Sequence, residues 1–295
     1  MHYTRTFTVV VVGLMGALAS AQSLGVASTF NAFTFGNFTG SNSDVEGRLA
    51  AGGNVQLSFY DVGLRQAGST VLVAGGDLNF SNGSIRGDAR YGGSKALNGV
   101  GFPNGGSAQQ GTPIDFTAAR TFAHANSAFW GGFASTGTAG QQFSSLNLTG
   151  TRAGLNVFNI SASQLQNISE VNFNLPTGAT ALVNVSGSQV TFGNIGYNFN
   201  GSQGNAAFQR VMWNLKDANG VSMNSLRGSV YAPKAAVNGG FGDLNGQLVA
   251  ASFTGSLQFN ENSFTGDLAP VPEPMTMSLL TLGLAAVARK RRRAA

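Results

Sequence analysis

Apolar residues alternate with polar ones in short runs along most of the chain, as in Val55/Leu57/Phe59, Val71/Val73, Val171/Phe173/Leu175, Val183/Val185 and Val190/Phe192. A period of two places each set on one face of an extended strand, and Asn or Gln fills many of the intervening positions. Such strands bury one face and offer amides on the other. One stretch has the helical period instead. Thr112 is placed to cap it, Pro113 suits its first position and Asp115 its first turn, and Phe116, Ala119, Ala123, Trp130 and Phe133 follow at helical spacing. Asn126 interrupts that stripe, and Gly131-Gly132 is its expected end. The expectation is a single helix packed along the side of a β-structure.

The strands repeat. Ala51-Gly52-Gly53-Asn54-Val55-Gln56-Leu57 recurs as Ala74-Gly75-Gly76-Asp77-Leu78-Asn79-Phe80 at an offset of 23, with Leu49 and Leu72 in register. Gly228-Ser229-Val230-Tyr231-Ala232-Pro233 is echoed by Gly246-Gln247-Leu248-Val249-Ala250-Ala251 at an offset of 18. Periods near 20 residues, made of short strands and Gly or Asn turns, fit the coils of a β-solenoid, because each coil needs neighbours to bury its apolar edge. A meander of hairpins in a sandwich would use the same Gly-Gly-Asn and Gly-Gly-Asp steps as turns.

Composition supports an extracellular β-structure. Gly contributes 42 of 295 residues, only 10% are charged, and cysteine is absent, so neither disulfides nor thiolate chemistry is open to the chain. The net charge of +5 sits at the ends: Arg5, Arg289, Lys290, Arg291, Arg292 and Arg293 against Glu273, leaving 11 basic and 11 acidic side chains in the body. A neutral body argues against a nucleic-acid partner.

Both ends read as addresses. Arg5, the uncharged run Val9 to Ala19 and the small-x-small site Ala19-Ser20-Ala21 form a secretory signal, cleaved by signal peptidase after Ala21. At the other end Pro272-Glu273-Pro274 precedes an uncharged stretch, Met275 to Ala288, and the basic block Arg289 to Arg293. As a helix that stretch is about 21 Å long, a marginal span of the inner membrane, with the block held on the cytoplasmic side. These three parts in this order resemble the PEP-CTERM sorting signal of Gram-negative bacteria. The resemblance implies an exosortase, a membrane-embedded protease/transpeptidase, as processing partner, and a setting of exopolysaccharide production. A permanent tail anchor is the plainer alternative.

The body itself resembles a known domain. Ser43-Asp44-Val45-Glu46-Gly47-Arg48-Leu49-Ala50-Ala51-Gly52-Gly53-Asn54, Ile114-Asp115-Phe116, Asn184-Val185-Ser186-Gly187, Trp213-Asn214 and Gly228 to Pro233 are similar to the choice-of-anchor A adhesive domain, from about Leu24 to Leu268. That resemblance implies a secreted surface protein of β-helical fold without catalytic residues. A His common in its final motif is missing here, where Gln258-Phe259-Asn260-Glu261 stands.

Little else carries chemistry. The histidines are His2 and His124, and no G-x-S-x-G elbow accompanies them, so His124 is expected at solvent or in a groove on the helix. Asn42-x-Asp44-x-Glu46-Gly47 imitates the start of a calcium loop, but Gly53 stands where the closing Glu would be. Asp44 and Glu46 are therefore the candidate metal positions in a chain expected to need no metal or cofactor, the alternative being turn caps paired with Arg48 or a neighbour. Gly239-Gly240-Phe241-Gly242-Asp243 is one residue out of register with a calcium-binding nonapeptide and occurs once. The acids are spread singly, unlike a glycosidase pair. Arg86-Gly87-Asp88 reads as a turn between coils. Thr-x-Thr ladders of an ice-binding face are missing; of the 22 Phe most are assigned to the core, with Tyr60, Tyr91, Tyr197, Tyr231, Trp130 and Trp213 as further aromatics that could stack on sugars.

The sequence thus predicts a signal peptide (1–21), an all-β solenoid domain with one flanking α-helix (22–268), and a sorting segment (269–295) with motif 272–274, transmembrane helix 275–288 and basic tail 289–293. The expected role is adhesive or structural, non-enzymatic, at the cell surface or in the extracellular matrix of a Gram-negative bacterium, with exopolysaccharide or other surface proteins as partners. A carbohydrate-binding module is the first alternative and a polysaccharide-degrading enzyme the second.

Overall fold

The computed structural model describes residues 23–66, 69–200 and 204–271. Ala19 and Ala21 of the expected signal, and the sorting residues Pro272, Glu273, Pro274 and Arg289 to Arg293 with the apolar helix before them, lie outside the described residues. Among the described residues no helix is long and apolar enough to cross a membrane.

The chain is built mainly of short strands. The first half holds β1 (Ala32–Thr34), β2 (Phe38–Val45), β3 (Leu49–Ala51), β4 (Val55–Val62), β5 (Thr70–Ala74), β6 (Leu78–Ile85), β7 (Asp88–Tyr91), β8 (Lys95–Gly101) and β9 (Ala108–Gln110). Helix α1 (Phe116–Gly131) follows. The second half holds β10 (Thr138–Gln142), β11 (Ser145–Thr149), β12 (Leu155–Ser161), β13 (Glu170–Asn174), β14 (Thr180–Ser186), β15 (Gln189–Phe192), β16 (Gly196–Asn200), β17 (Val211–Asn214), β18 (Gly220–Met223), β19 (Leu226–Arg227), β20 (Ser229–Asn245) and β21 (Leu248–Asn260).

Coils stack in parallel. One face runs β1–β3–β5–β7–β9 and the adjoining face β2–β4–β6–β8. Val55 lies opposite Leu78 and Leu49 opposite Leu72, so the 23-residue offset is one coil, and the parallel sense excludes the hairpin alternative. The second half stacks alike: β12–β14–β17–β20 on the first face and β15–β18–β20 on the second, with Val230 opposite Leu248 at the 18-residue offset. The two halves meet at their far ends in sequence. β21 pairs with β1 and β2 on the edge that β3 and β4 leave free. The product is a curled, parallel, 17-stranded sheet whose first coil lies in mid-stack. A second sheet, β10–β11–β13–β16, stands beside it, and its β10–β11 pair is antiparallel.

Inside the curl, Val55, Leu57, Tyr60 and Val62 of β4 pack with their counterparts on each coil, and Phe38 stacks on Phe253 at 4.7 Å across the β2–β21 seam. First-face strands in the middle of the stack, such as β1, β3 and β17, are buried on both sides. Leu49 and Ala51 face the interior while Ala50 faces outward, under α1, together with Phe33, Val73, Tyr231 and Val249. Continuous apolar runs such as Leu49-Ala50-Ala51 follow from that double burial.

Helix α1 begins later than the sequence suggests. Asp115, not Thr112, is the cap: its Oδ1 accepts the N–H groups of Thr117 (3.0 Å) and Ala118 (2.9 Å), while the Thr112 hydroxyl stays with the backbone of Ile114. Sixteen residues give about 24 Å of helix. Five rungs from β3 to β14 also measure about 24 Å. The helix accordingly spans them, with Phe116 against Gly52, Arg120 donating to Phe35 O (2.8 Å), and Asn184 donating to Trp130 O (2.9 Å).

The repeated Gly-Gly-Asx step is explained by what stacks on it. Asn37 Oδ1 accepts the N–H of Asn54 (2.9 Å), Asn54 Oδ1 that of Asp77 (2.9 Å), and Asp77 Oδ1 that of Ser94 (2.7 Å). Each side-chain oxygen of this column occupies the place where a Cβ on Gly53, Gly76 or Gly93 would stand, and Gly52 O does the same to Gly75. Gly75→Ala is expected to destabilise the protein by about 1–3 kcal/mol. Gly140→Ala in β10, with open space at its Cβ position, should leave the thermal midpoint close to wild type. Thermal unfolding of the two variants side by side checks this.

Candidate functional site

The second face turns one uncharged rank of side chains outward. Thr191, Ser222, Asn238, Thr254, Thr39, Gln56, Asn79 and Ala96 lie opposite one another from β15 to β8. Threonines adjoin at one step, Thr254–Thr39, so the rank is mixed rather than a threonine ladder. Beside it runs a shallow depression of about 220 Å³, lined among others by Ser41, Gln56, Ser58, Asn79 and Ser81. Its rungs are hydroxyls and amides, with Ser41 Oγ 3.3 Å from Ser256 Oγ.

The depression ends at a corner where the backbone turns left-handed in four successive coils: Asn42 (φ 52°), Phe59 (49°), Asn82 (55°) and Gly99 (63°). That kink breaks the alternation expected for Val55/Leu57/Phe59. Tyr60 takes the interior position, and Phe59 stands 63% exposed. Among the described residues the other exposed phenylalanines are Phe143 (93%), on the β10–β11 turn, and Phe241 (85%), on β20. Most of the other Phe side chains are core, as expected, and of the aromatics considered for sugar stacking Trp130, Trp213, Tyr60 and Tyr231 are fully buried while Tyr91 and Tyr197 are partly buried.

Past the corner, carboxylates appear. Asp44 of β2 lies opposite Asp61 of β4, and Asp243 of β20 opposite Gln258 of β21. Glu46 pairs with Arg65 at 3.0 Å and accepts the N–H of Glu261 at 2.8 Å, while Arg48 instead donates to Thr70 O (2.8 Å). Among the described residues no three acidic or histidine side chains gather around a point that could hold a metal, so Asp44 and Glu46 gain no third ligand. Asp243 is held by Arg227 at 2.9 Å and by Asn260 at 3.1 Å. Arg86-Gly87-Asp88 forms the turn between β6 and β7, and Asp88 Oδ1 accepts the N–H of Ser107 (2.9 Å).

The helix side is a structural seam. His124 is half-buried, its Nε2 3.2 Å from Pro233 O. Asn159, Asn184 and Asn214 form an amide ladder at 2.9 and 2.8 Å, and Asn214 exchanges bonds with Ser127 (2.6 and 2.9 Å). Asn126, which broke the apolar stripe, is fully buried, donates to Ser23 O and accepts the N–H of Val271 (2.6 Å). It therefore ties together the first and last described residues of the chain. A lone Asn on an apolar helix face is the signal for such a buried clamp.

Residues 23–261 match the family model described as "Putative Ice-binding-like adhesive domain". The chain belongs to this family. Residues 270–293 match the PEP-CTERM protein-sorting motif, which covers Pro272, Glu273, Pro274 and the basic block. A search of curated proteins finds no match. Among solved structures, the crystal structure of an ice binding protein from an Antarctic biological consortium aligns at 12% identity and a TM-score of 0.31, over 86% of this chain and 94% of that one. At that score the likeness decides neither fold nor function. The adhesive-domain match ends at residue 261 and the sorting-motif match begins at 270, and Val271, the last described residue, is clamped on Asn126.

Within the domain, Asp44 makes a testable case. Burial, together with the charges of Glu46 and Asp61, raises its carboxyl above the ordinary range, against a hydrogen bond from Gln258 that lowers it. A raised folded-state value means stability that is present when the group is protonated and is lost as pH rises through that value. Asp44→Asn should therefore raise the melting temperature at roughly pH 7, and the gain should vanish at roughly pH 3. Paired melting curves across that range check both the sign and the window.

Proposed function

We propose that this protein is an exported surface protein whose adhesive domain works by presenting a repetitive, uncharged face, and whose last 25 or so residues are a signal handled by an exosortase. The observation that carries the reading is the order of parts: an adhesive-domain match over residues 23–261 followed by a sorting-motif match over 270–293, with Val271, just inside the second, held on Asn126. Removal of the tail at Pro272 to Pro274 leaves every described strand in place. Signal cleavage after Ala21, domain limits of 22–268 and 269–295, and a membrane helix at 275–288 complete the proposal.

The finer setting is also proposed: the choice-of-anchor A type of adhesive domain, a Gram-negative cell surface, and a matrix of exopolysaccharide. A non-enzymatic role is supported by the positions of the titratable groups. His124 is engaged with Pro233 O, Asp115 caps the helix, and Glu46 and Asp243 are each paired with an arginine. Hydroxyl and amide ladders exchange hydrogen bonds with water for bonds to a partner at small net cost, which favours many weak contacts over one tight site. Adhesion is favoured over ice binding because the outward rank alternates Thr, Ser, Asn and Gln rather than repeating one group.

Deleting residues 271–295 is expected to release the protein from cells or to lower matrix cohesion, and intact mass of native material should start at Gln22 and lack Arg289 to Arg293. A surface form that keeps the basic block would make the segment a plain anchor. Alanine at His124 or Asp115 should abolish no activity.

A further inference from the structure

We propose that the corner carrying Phe59 and Phe241 is a contact site for a neutral, extended polysaccharide chain laid along the stack. The proposal rests on the adhesive reading and names the chemistry of its partner. Phe241 occupies, on β20, the corner that Asn42 occupies on β2 and Phe59 on β4, since Gly239, Gly255, Gly40 and Leu57 are mutually in register two residues before. β20 and β4 are three strand spacings apart, so the two rings stand about 14 Å from each other along the axis. Between them lie Ser256, Ser41 and Asn42, all hydroxyl or amide groups.

Phe59 is costly to the fold. Its neighbours in the left-handed column are Asn42, Asn82 and Gly99, the residue types that tolerate that conformation, whereas a bulky aromatic there is strained. The ring is 63% exposed, so solvent-facing aromatic surface is kept at a backbone position that disfavours it. Phe143 shares the left-handed backbone (φ 52°) but sits on the β10–β11 turn of the second sheet; at Phe59 the strain coincides with the corner where the depression ends, and that coincidence points to function. Ser58, the residue before Phe59, lines the 220 Å³ depression, whose Thr39, Ser41, Gln56, Asn79 and Ser81 also offer donors and acceptors. A flat aromatic face beside a row of hydroxyls and amides, spaced about 4.8 Å apart, suits the apolar faces and hydroxyls of sugar rings, whose rise in an extended β-linked chain is close to that spacing.

Charge selects among polysaccharides. No charged side chain lines the depression, and the ranks past the corner carry Asp44, Asp61 and Asp243. A polyuronate would meet carboxylates without a free cation to receive it, whereas a neutral glycan would find further acceptors for its hydroxyls.

The test uses the full chain and pull-down on an insoluble neutral β-linked glucan, with a polyuronate gel in parallel. Wild type should bind the glucan and not the gel. Phe59→Asn and Phe241→Ala should each weaken glucan binding up to about tenfold, and Phe143→Ala should not. Phe59→Asn should at the same time raise the melting temperature by about 2–4 °C, a change opposite to that of a packing residue. Glucan binding unaltered in the Phe59→Asn, Phe241→Ala double variant, equal binding to the polyuronate, or self-association through these rings with no glucan binding would each overturn the proposal. Cell-surface retention measured on the same variants separates the two readings: retention with no glucan binding sinks the glycan site alone, whereas loss of retention only on deleting residues 271–295 upholds the sorting role.

Discussion

Every main-sheet hydrogen bond that holds this fold joins one coil to the next, at a fixed rung of about 4.8 Å. That spacing forces equivalent positions to carry compatible residues. Where a carbonyl or an Asx oxygen of one coil reaches into the turn of the next, the turn must be Gly, as at Gly53, Gly76 and Gly93 over Asn37, Asn54 and Asp77. Where amides stack, they bond along the column, as Asn159, Asn184 and Asn214 do. The high glycine content and the scarcity of charge share this origin, because identical charges one rung apart repel.

Stacking alone leaves two open edges at each end and a seam in the middle. The seam is closed by the chain's own first and last coils. Asn31 is the stitch: its amide donates to Gly246 O (2.8 Å) and Asn260 O (3.1 Å), and its oxygen accepts the N–H of Gly47 (3.2 Å). Helix α1 then braces five rungs on the outside, its backbone and polar groups bonded to the Asn ladder and its apolar groups to the first face. Asn126 on that helix holds both Ser23 and Val271, so the first and last described residues sit at one place on the domain.

Coils built this way offer much repeated surface. Outward positions recur at every rung, so whatever one coil offers its neighbours offer again, and weak contacts multiply. Departures from the repeat then stand out. Phe59, in a column otherwise made of Asn and Gly, is the clearest one.

Sequential coils were legible in the sequence, because a partner 23 or 18 residues away leaves a visible repeat: Val55 with Leu78, Val230 with Leu248. The helix and its end at Gly131-Gly132 were legible from periodicity, though its cap moved to Asp115, since only geometry tells which of two nearby oxygens reaches the free N–H groups. The sorting motif was legible because its parts are local and consecutive. The pairing of β21 with β1 was not. Partners more than two hundred residues apart share no period, and any free sheet edge can accept any strand, so the choice is made by the whole stack. Phe59 was misplaced for a related reason: alternation assumes an unbroken pleat, and one left-handed residue, imposed by the corner of the coils on either side, sends the ring to solvent and Tyr60 to the core. Asn126 stood out in the sequence as a flaw in an apolar stripe. Only the folded chain brings Ser23 and Val271 to it and makes it the point where the two ends are held.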